Sequence, residues 1–360
     1  MIKVKLNNEI LERLLSIERF RERFSGVKIP LSLSNRLRKS SKKKSTYASN
    51  RIEGNPLSEA QVGEVLDSAR RHFLKPEQEV RNYFDALTFL ESKLEDKTPF
   101  SMKLILDVQA IVVKGESSEK TGLRGPMPPG VLFAVYDDVT GEAEYIPPMF
   151  SEVEALLAEL VEYVNRSDDH PILKAATVHY QMVTIHPFED GNGRTARLMS
   201  DYLLDLNGYG FNQIGSLEEY FAYDIDEYYA SIQMGLPPLY YDGRENPPHP
   251  EIWYMYFLRM MELHAKKVVE LAMATKTENA EPGLSYLNQK ERSFLRQLVR
   301  EKIAEFSPKE MSDKLGVTNR TVINWCLKLV KTGFLLPLGE GRRIRGYALT
   351  ELAQGIGPDE

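Results

Sequence analysis

The sequence is poor in cysteine and has no long apolar run. Cys326 is the only cysteine among 360 residues, so neither an intrachain disulfide framework nor a cysteine-based zinc cluster can form. Charged residues interrupt the apolar positions of the first twenty residues, unlike a signal peptide. No later segment supplies the roughly 18 apolar residues that a membrane-spanning helix requires. We therefore expect a soluble, cytoplasmic protein that engages no membrane.

Helical periodicity dominates the rest of the sequence. Apolar residues recur at intervals of three and four, the spacing of one buried helix face, in segments 10–24, 57–71, 78–94, 152–165, 172–185, 194–206, 217–233 and 252–273. The exception is 131–148, where β-forming residues flank a polar turn ending in Gly141 and two prolines close the segment. The sequence predicts a mainly α fold with one β-hairpin.

A polar stretch at 274–283 ends in Pro and Gly and separates two regions of apolar periodicity. We interpret it as a linker that follows a helical region at 1–95 and a central domain at 96–273, and that precedes a C-terminal domain at 284–360. Residues 283–360 carry 13 Lys and Arg against nine Asp and Glu, within a chain of net charge −6. This local excess is compatible with a polyanionic partner and equally with an ordinary solvated surface.

A second basic feature is the run at 36–44, where six of nine residues are Lys or Arg. No aromatic residue is interleaved to stack on a nucleic-acid base. We therefore favour a solvated helix face or loop over a nucleic-acid site.

The segment 184–199, TIHPFEDGNGRTARLM, has the composition of an anion site. One helix ends and another begins within it, so the loop between them lies at a helix N-terminus. Gly191 and Gly193 allow close approach of a ligand, and the loop N–H groups and the helix dipole attract an anion. Arg194 and Arg197 lie three apart in the first turn of the second helix and suit the oxygens of more than one phosphate.

Two further side chains complete this constellation. Asp190 supplies the oxygen ligands that Mg2+ accepts, and a polyphosphate needs such a cation. His186 has an ordinary pKa that suits taking a proton from a hydroxyl at neutral pH. A metal site built from His179, His186 and an aspartate is the alternative, but it leaves the loop and the arginines without a role, and no His-Glu-x-x-His pattern accompanies it.

The residues HPFEDGNGRTAR at 186–197 match H-x-F-x-D/E-G-N-G-R-x-x-R at every specified position, so the chain resembles the Fic family. The resemblance implies a helical Fic core and transfer of AMP from ATP, with Mg2+, to a Ser, Thr or Tyr hydroxyl of a protein. It implies that His186 is the base and that Asp190 holds the metal. It assigns the phosphates to a set of loop and helix residues, namely Gly191, Asn192, Gly193, Arg194 and Arg197.

Other segments extend the resemblance. The hairpin at 131–146 resembles the family's flap, whose edge aligns the target protein by strand addition, and Gly122 to Arg124 upstream also resemble the family. The segment 216–232 resembles the helix whose tyrosines border the adenine pocket, so Tyr228 and Tyr229 are candidates for nucleotide binding. Tyrosines at such spacings also occur simply as packing residues.

Far upstream, SNRIEGN at 49–55 matches S/T-x-x-x-E-G/N, the pattern of Fic proteins that carry an inhibitory helix N-terminal to the core. We place this helix at about 45–55. A Glu53 carboxylate on Arg197 would occupy the fork that the γ-phosphate needs, so the resemblance implies autoinhibition by Glu53. The alternative is a helix that ends at Gly54 and leaves Glu53 exposed.

The C-terminal domain, 284–360, resembles a winged helix-turn-helix, with a glycine turn between two short helices and a basic hairpin after them. Arg320, Asn324 and Lys328 lie four apart on one helix face, where they would meet a DNA major groove or remain in solvent. Relatives of this fold also use the domain for protein contacts.

Three functions therefore compete. The first is AMP transfer to a protein substrate docked on the 131–146 flap, including the chain itself. The second is removal of AMP by the same site, with Glu53 positioning a water molecule. The third is a DNA-binding regulator whose Fic core senses nucleotide. The sequence leaves open the target, the release of Glu53 and whether the chain forms a homo-oligomer.

Overall fold

The structure, a computed structural model, describes residues 2, 4–70, 72–115, 120–131, 133–136, 141–234, 236, 247, 249–278, 286–339, 344–350 and 353. The chain divides into two compact units, Met1–Ala272 and Met273–Glu360. Each unit has a hydrophobic core of its own.

The first unit is built from helices and one small hairpin, which confirms the prediction of a mainly helical fold. Its helices are α1 (Asn8–Ser25), α2 (Leu31–Ile52), α3 (Glu59–Asp67), α4 (Lys75–Glu95), α5 (Met102–Val112), α6 (Phe150–Arg166), α7 (Pro171–Ile185), α8 (Asn192–Leu206), α9 (Glu218–Tyr223), α10 (Ile225–Gln233) and most of α11 (Pro250–Glu278), whose last residues belong to the second unit. Its strands are β1 (Val135–Tyr136) and β2 (Ala143–Tyr145).

Helix α7 lies in the middle of this unit, because almost every one of its residues is buried. It packs most extensively against α8. Small residues at the contact allow close approach, and the Ser200 hydroxyl of α8 donates to the carbonyl oxygen of Ala175 at 3.0 Å. The two helices are thereby held together inside the core, and the short loop at 186–191 joins the end of α7 to the start of α8.

The hairpin pairs β1 with β2 in antiparallel register, Val135 opposite Tyr145 and Tyr136 opposite Ala143, with an irregularity between the two pairs. The Tyr145 hydroxyl donates to the carbonyl oxygen of Thr184 in α7, which anchors the base of the hairpin to the core. Part of the predicted hairpin, residues 137–140 at its turn, lies outside the described residues.

The second unit contains α12 (Gln289–Arg300), β3 (Glu305–Phe306), α13 (Pro308–Leu315), α14 (Asn319–Lys331), β4 (Leu335–Leu338) and β5 (Gly346–Leu349). The strands form an antiparallel sheet in the order β3-β5-β4. Gly316, with φ +66°, ends α13 in the left-handed conformation that glycine adopts at little cost.

The helix bounds differ from two of the predicted segments. The periodic segment 217–233 forms two helices, because Asp224 is extended and its carboxylate caps α10 by accepting the Glu227 N–H at 2.9 Å. An acidic residue followed three positions later by Glu is a helix-start signal that was present in the sequence. The predicted linker at 274–283 is helical through Glu278, since α11 continues into it.

The basic run at 36–44 lies within α2, a helix that starts well before the predicted inhibitory segment at 45–55. Lys42 pairs with Glu91 and Lys43 with Asp67, both at 2.7 Å. These contacts agree with the interpretation of the run as a helix face that packs and pairs within the chain. Among the described helices, none combines the length and the apolar composition that crossing a bilayer requires.

Candidate active site

His186 lies where α7 ends, with φ 49° and ψ 58°, a left-handed conformation that non-glycine residues rarely adopt. Its Nδ1 lies 3.3 Å from the carbonyl oxygen of Val183, which can only accept a hydrogen bond. The contact therefore favours the tautomer that carries the proton on Nδ1 and leaves the lone pair of Nε2 for a substrate. Burial lowers the pKa of His186 to about 4, so the ring is neutral at pH 7 and able to accept a proton.

Arg124 fixes this corner from the side of the hairpin. Its Nε donates to the carbonyl oxygen of His186 at 2.8 Å, and its backbone N–H donates to that of Pro187 at 2.9 Å. Its Nη2 donates to the carbonyl oxygen of Pro148, just after the hairpin. The guanidinium also lies 4.7 Å from the ring centroid of Phe133. One buried arginine thereby joins the backbone at His186 to both ends of the hairpin.

Asn192 closes the loop between α7 and α8. Its Oδ1 accepts the N–H of Phe188 at 3.0 Å, and its Nδ2 donates to the carbonyl oxygen of Phe188 at 2.9 Å. At Gly191 φ is +80°, and a Cβ would lie 3.0 Å from Val112 Cγ1, so the turn favours glycine. The side chain of Asn192 thus shapes the loop, and what remains for a phosphate is the backbone of the first turn of α8.

Asp190 is surrounded by positive charge. Its Oδ1 accepts the Gly191 N–H at 2.6 Å and Arg194 Nη2 at 2.9 Å, and its Oδ2 lies 3.1 Å from Lys120 Nζ. Burial acts to raise the pKa of this carboxyl, but Arg194 and Lys120 outweigh burial and hold the pKa below its ordinary value. Asp190 is therefore ionised at pH 7.

The donor set fits Mg2+ bound together with a nucleotide. Within the part of the chain that the structure describes, no three His, Cys, Asp or Glu side chains group closely enough to hold a metal ion. Asp190 is a single carboxylate beside an anion-binding loop, and Mg2+ in such sites takes one or two carboxylates, phosphate oxygens and water. The alternative site with His179 and His186 is not seen either: among the described residues His179 belongs to no such group, and its Nε2 lies 2.8 Å from the hydroxyl of Tyr228.

Arg197 is 1% exposed and is engaged from α2. Its Nε donates to Ser49 Oγ at 2.7 Å, and its Nη2 donates to the Ser49 carbonyl oxygen at 3.1 Å and to Glu53 Oε1 at 2.7 Å. Burial is the largest influence and acts to lower the pKa of Arg197, but the attraction and hydrogen bond of Glu53, together with the nearby Tyr228 and Tyr83, raise the pKa above its ordinary value. The structure thus brings together the serine and the glutamate of the upstream motif with the last arginine of the signature.

Glu53 also covers the backbone at Gly193. A Cβ added at Gly193 would collide with Glu53 Oε1 and would lie 3.2 Å from Arg197 Nη1. The carboxylate therefore lies directly over the backbone at the start of α8. Its side chain keeps 30% of its surface exposed, so solvent reaches the pair from outside.

A second polar contact, which the sequence did not reveal, holds α2 in place. Glu218 is fully buried and accepts hydrogen bonds from Ser45 Oγ at 2.9 Å, from Tyr83 OH at 2.8 Å and from Ser216 Oγ at 3.0 Å. Ser45 lies one helical turn before Ser49, so both serines face the core from the same side of α2. No sequence pattern singles out Glu218, because a buried glutamate is recognised only by the partners that surround it.

The two candidate tyrosines lie in different environments. Tyr228 is 1% exposed; its hydroxyl lies 2.8 Å from His179 Nε2 and its ring stacks on Phe221 at 5.3 Å. Tyr229 is 49% exposed, and its hydroxyl donates to the carbonyl oxygen of Ile52 in α2 at 3.4 Å. Of the two, Tyr229 offers surface to a ligand, whereas Tyr228 packs in the core.

Comparison with known proteins finds one family model and several relatives that match this chain. Residues 99–204 match the model of the Fic/DOC family. The chain is 29% identical over 203 residues to the protein adenylyltransferase Fic of Drosophila virilis, a match that covers 55% of this chain and 40% of that relative. The chain thus spans about 40% of the length of the curated relatives it matches.

Solved structures show the same fold. A Fic family protein from Desulfovibrio desulfuricans G20 is 20% identical, with a TM-score of 0.62 over 98% of each chain. Fic-1 from C. elegans is 22% identical, with a TM-score of 0.57 over 75% of this chain and 73% of that one. The match of residues 99–204 to the Fic/DOC model and the shared fold agree with the resemblance carried by the signature 186–197, which lies between α7 and α8.

Proposed function

We propose that this chain transfers AMP from ATP to a Ser, Thr or Tyr hydroxyl of a protein, and that Glu53 restrains the reaction. The observation that carries the proposal is the meeting, at the junction of α7 and α8, of a neutral imidazole at His186 with a glycine loop and two buried arginines, Arg194 and Arg197. The similarity of the chain to protein adenylyltransferases supports the same reaction.

The reaction that fits these residues is an in-line displacement at the α-phosphorus. The substrate hydroxyl oxygen attacks the α-phosphorus, its proton passes to Nε2 of His186, and the bond to the bridging oxygen breaks so that pyrophosphate leaves. The backbone N–H groups in the first turn of α8 stabilise the charge on the phosphates. Arg194 Nε is buried and has no hydrogen-bond partner within the described residues, which leaves it a donor for the nucleotide. Mg2+ on Asp190 would neutralise phosphate charge.

The hairpin is the proposed docking edge for the target protein. An extended segment of a target that adds to the edge of β1 or β2 gains main-chain hydrogen bonds, which set its register without reading its sequence. Because Arg124 ties the hairpin to the carbonyl oxygen of His186, a hydroxyl held on that edge keeps a defined distance from the base. A segment of the chain itself meets the same requirements, so self-modification belongs to the proposal.

The restraint follows from the pair at Arg197. While Glu53 bonds to Arg197 and lies over Gly193, the guanidinium is not available to a terminal phosphate and the loop faces a carboxylate. ATP then binds without the contact that would orient its α-phosphate toward His186. Release of Glu53 restores that contact.

The second unit, which we interpret as a winged helix-turn-helix, gives less support to a DNA-binding role. Lys328 on α14 lies 3.0 Å from Glu291, so its charge is paired within the unit. Ile323 and Leu327 on the same helix are exposed, and apolar side chains suit a protein contact better than a phosphate backbone. The exposed face of α14 therefore fits a protein partner better than DNA, and every residue given a role in AMP transfer lies in the first unit.

The proposal is tested with ATP labelled at either the α- or the γ-phosphate. Incubation of Glu53→Gly with Mg2+ and α-labelled ATP should label the chain or an added protein, and His186→Ala in the same background should not. No labelling from the α position, or equal labelling from the γ position, refutes AMP transfer. Release of AMP from a previously modified protein by the wild type, lost in Glu53→Gly, would establish the reverse reaction instead.

A further inference from the structure

The two carboxylate oxygens of Asp190 contact different parts of the chain. Oδ1 is committed to the loop and to α8, through the Gly191 N–H at 2.6 Å and Arg194 Nη2 at 2.9 Å. Oδ2 is engaged by Lys120, whose Nζ lies 3.1 Å away. Lys120 belongs to the segment that leads into the hairpin and lies 70 positions before Asp190 in the sequence. The oxygen that faces away from α8 is thus already covered by a cation.

The position of Lys120 beside Asp190 is held by a buried glutamine. Gln109 on α5 is completely buried, and its Nε2 donates to the carbonyl oxygens of Lys120 at 2.8 Å and of Asp190 at 3.2 Å. Its Oε1 accepts the N–H of Gly122 at 3.0 Å. One amide therefore joins the backbones of both residues, and the ammonium is placed at the carboxylate by the fold and not by the reach of a flexible side chain alone.

An ammonium and a metal ion make incompatible demands on the same oxygen. Lys120 keeps 34% of its side chain exposed and Asp190 keeps 27%, so a hydrated cation can reach the pair from solvent. A divalent ion that takes Oδ2 must displace the ammonium, because two cations at one carboxylate oxygen repel each other. Lys120 has a long stem and is a hydrated point charge, so it can withdraw into water once displaced.

We propose that Lys120 is a built-in counter-ion of Asp190 that a divalent cation must displace, and that it thereby sets the concentration of metal the site requires. This inference rests on the proposed function, since that function gives Asp190 its metal. It assigns Lys120 a positioning role: the residue keeps the carboxylate neutralised and in place before metal and nucleotide arrive, and it opposes occupancy by metal alone.

The test measures metal binding and not turnover. Mn2+, a paramagnetic substitute for Mg2+, is titrated into the full chain in the presence of ADP, and free Mn2+ is followed by electron paramagnetic resonance. Lys120→Gln should bind Mn2+ about three- to tenfold more tightly than wild type, the range expected for loss of one partly exposed opposing charge. Lys120→Arg, which keeps the charge, should stay within about twofold of wild type.

Two controls separate the possible failures. Lys103→Gln removes a charge from another Lys-Asp pair, the exposed contact with Asp107 at 2.6 Å on α5, and should leave Mn2+ affinity unchanged. Asp190→Asn should weaken it. If Asp190→Asn weakens binding but Lys120→Gln does not strengthen it, the role of Lys120 is overturned and the proposed function stands. If neither variant changes Mn2+ binding, both the metal role of Asp190 and the counter-ion role of Lys120 are refuted.

Discussion

Replacing Glu53 with glycine should activate AMP transfer. The substitution removes the carboxylate that bonds to Arg197 Nη2 at 2.7 Å and lies over Gly193, while the two contacts of Arg197 with Ser49 remain. Glu53 lies at the C-terminal cap of α2, and Gly54 after it already has φ +78°. The helix therefore keeps its length, and the change is confined to the charge that faces the arginine.

The magnitude follows from the burial of the pair. A hydrogen bond to a charged group contributes about 1.5–3 kcal/mol, and breaking a fully buried ion pair costs about 3–5 kcal/mol. Because Glu53 is 30% exposed, solvent screens the pair and the lower range applies. In the wild type, a nucleotide that engages Arg197 must displace this contact first. Since about 1.4 kcal/mol corresponds to a factor of ten in rate, we expect a gain of about ten- to a hundredfold.

The assay is incorporation of label from α-labelled ATP at saturating ATP and Mg2+. Glu219→Gln serves as the matched control, because it breaks the exposed ion pair between Glu219 and Lys44, which is 2.9 Å long, without touching Arg197. Lys44 lies on α2, the helix that Glu53 caps. The control should change the rate by less than about twofold. Glu53→Gly combined with Arg197→Ala should lose the gain. Equal incorporation by wild type and Glu53→Gly, or a double variant that stays fast, would refute the restraint at Arg197.

The remaining predictions concern two histidines and one aspartate, namely His186, His264 and Asp190. His186→Ala should slow AMP transfer by about 10²- to 10⁴-fold and leave ATP affinity, measured by calorimetry, within about threefold; near-native turnover would exclude it as the base. Asp190→Ala should remove the dependence of nucleotide binding on Mg2+ concentration, and a variant that still responds to Mg2+ would contradict the assigned ligand. Burial lowers the pKa of His264 from 6.5 to about 4, so the folded state favours the neutral ring. The contribution of this preference to the free energy of unfolding is fully present above pH 6.5 and is lost as the pH falls toward 4. Urea unfolding of wild type should therefore lose about 2 kcal/mol more than His264→Gln between pH 7 and pH 5, and an equal loss in both would contradict the shift.

Much of the site could be predicted from the sequence because its chemistry is local. The signature at 186–197 specifies a helix end, a glycine turn and a helix start, and each depends on residues within a few positions of one another. The positive φ of Gly191 and the closed contact of Asn192 with Phe188 are consequences of that short segment. The mainly helical composition of the chain is local in the same sense.

Other features were decided by tertiary structure. Nothing in the sequence distinguishes Tyr228 from Tyr229, yet packing buries the first and leaves the second half exposed. The residues that hold α2 at the site through Glu218, and the glutamine that places Lys120 at Asp190, likewise had no sequence signal.

The physical reason is the distance along the chain over which these contacts form. Arg197 and Glu53 are separated by 144 positions, and Asp190 and Lys120 by 70. A motif can name both members of such a pair, as the upstream SNRIEGN segment did for Glu53. Whether they meet, how deeply they are buried and which charge dominates depend on how the helices pack around the core, because burial and local dielectric set the strength of each contact.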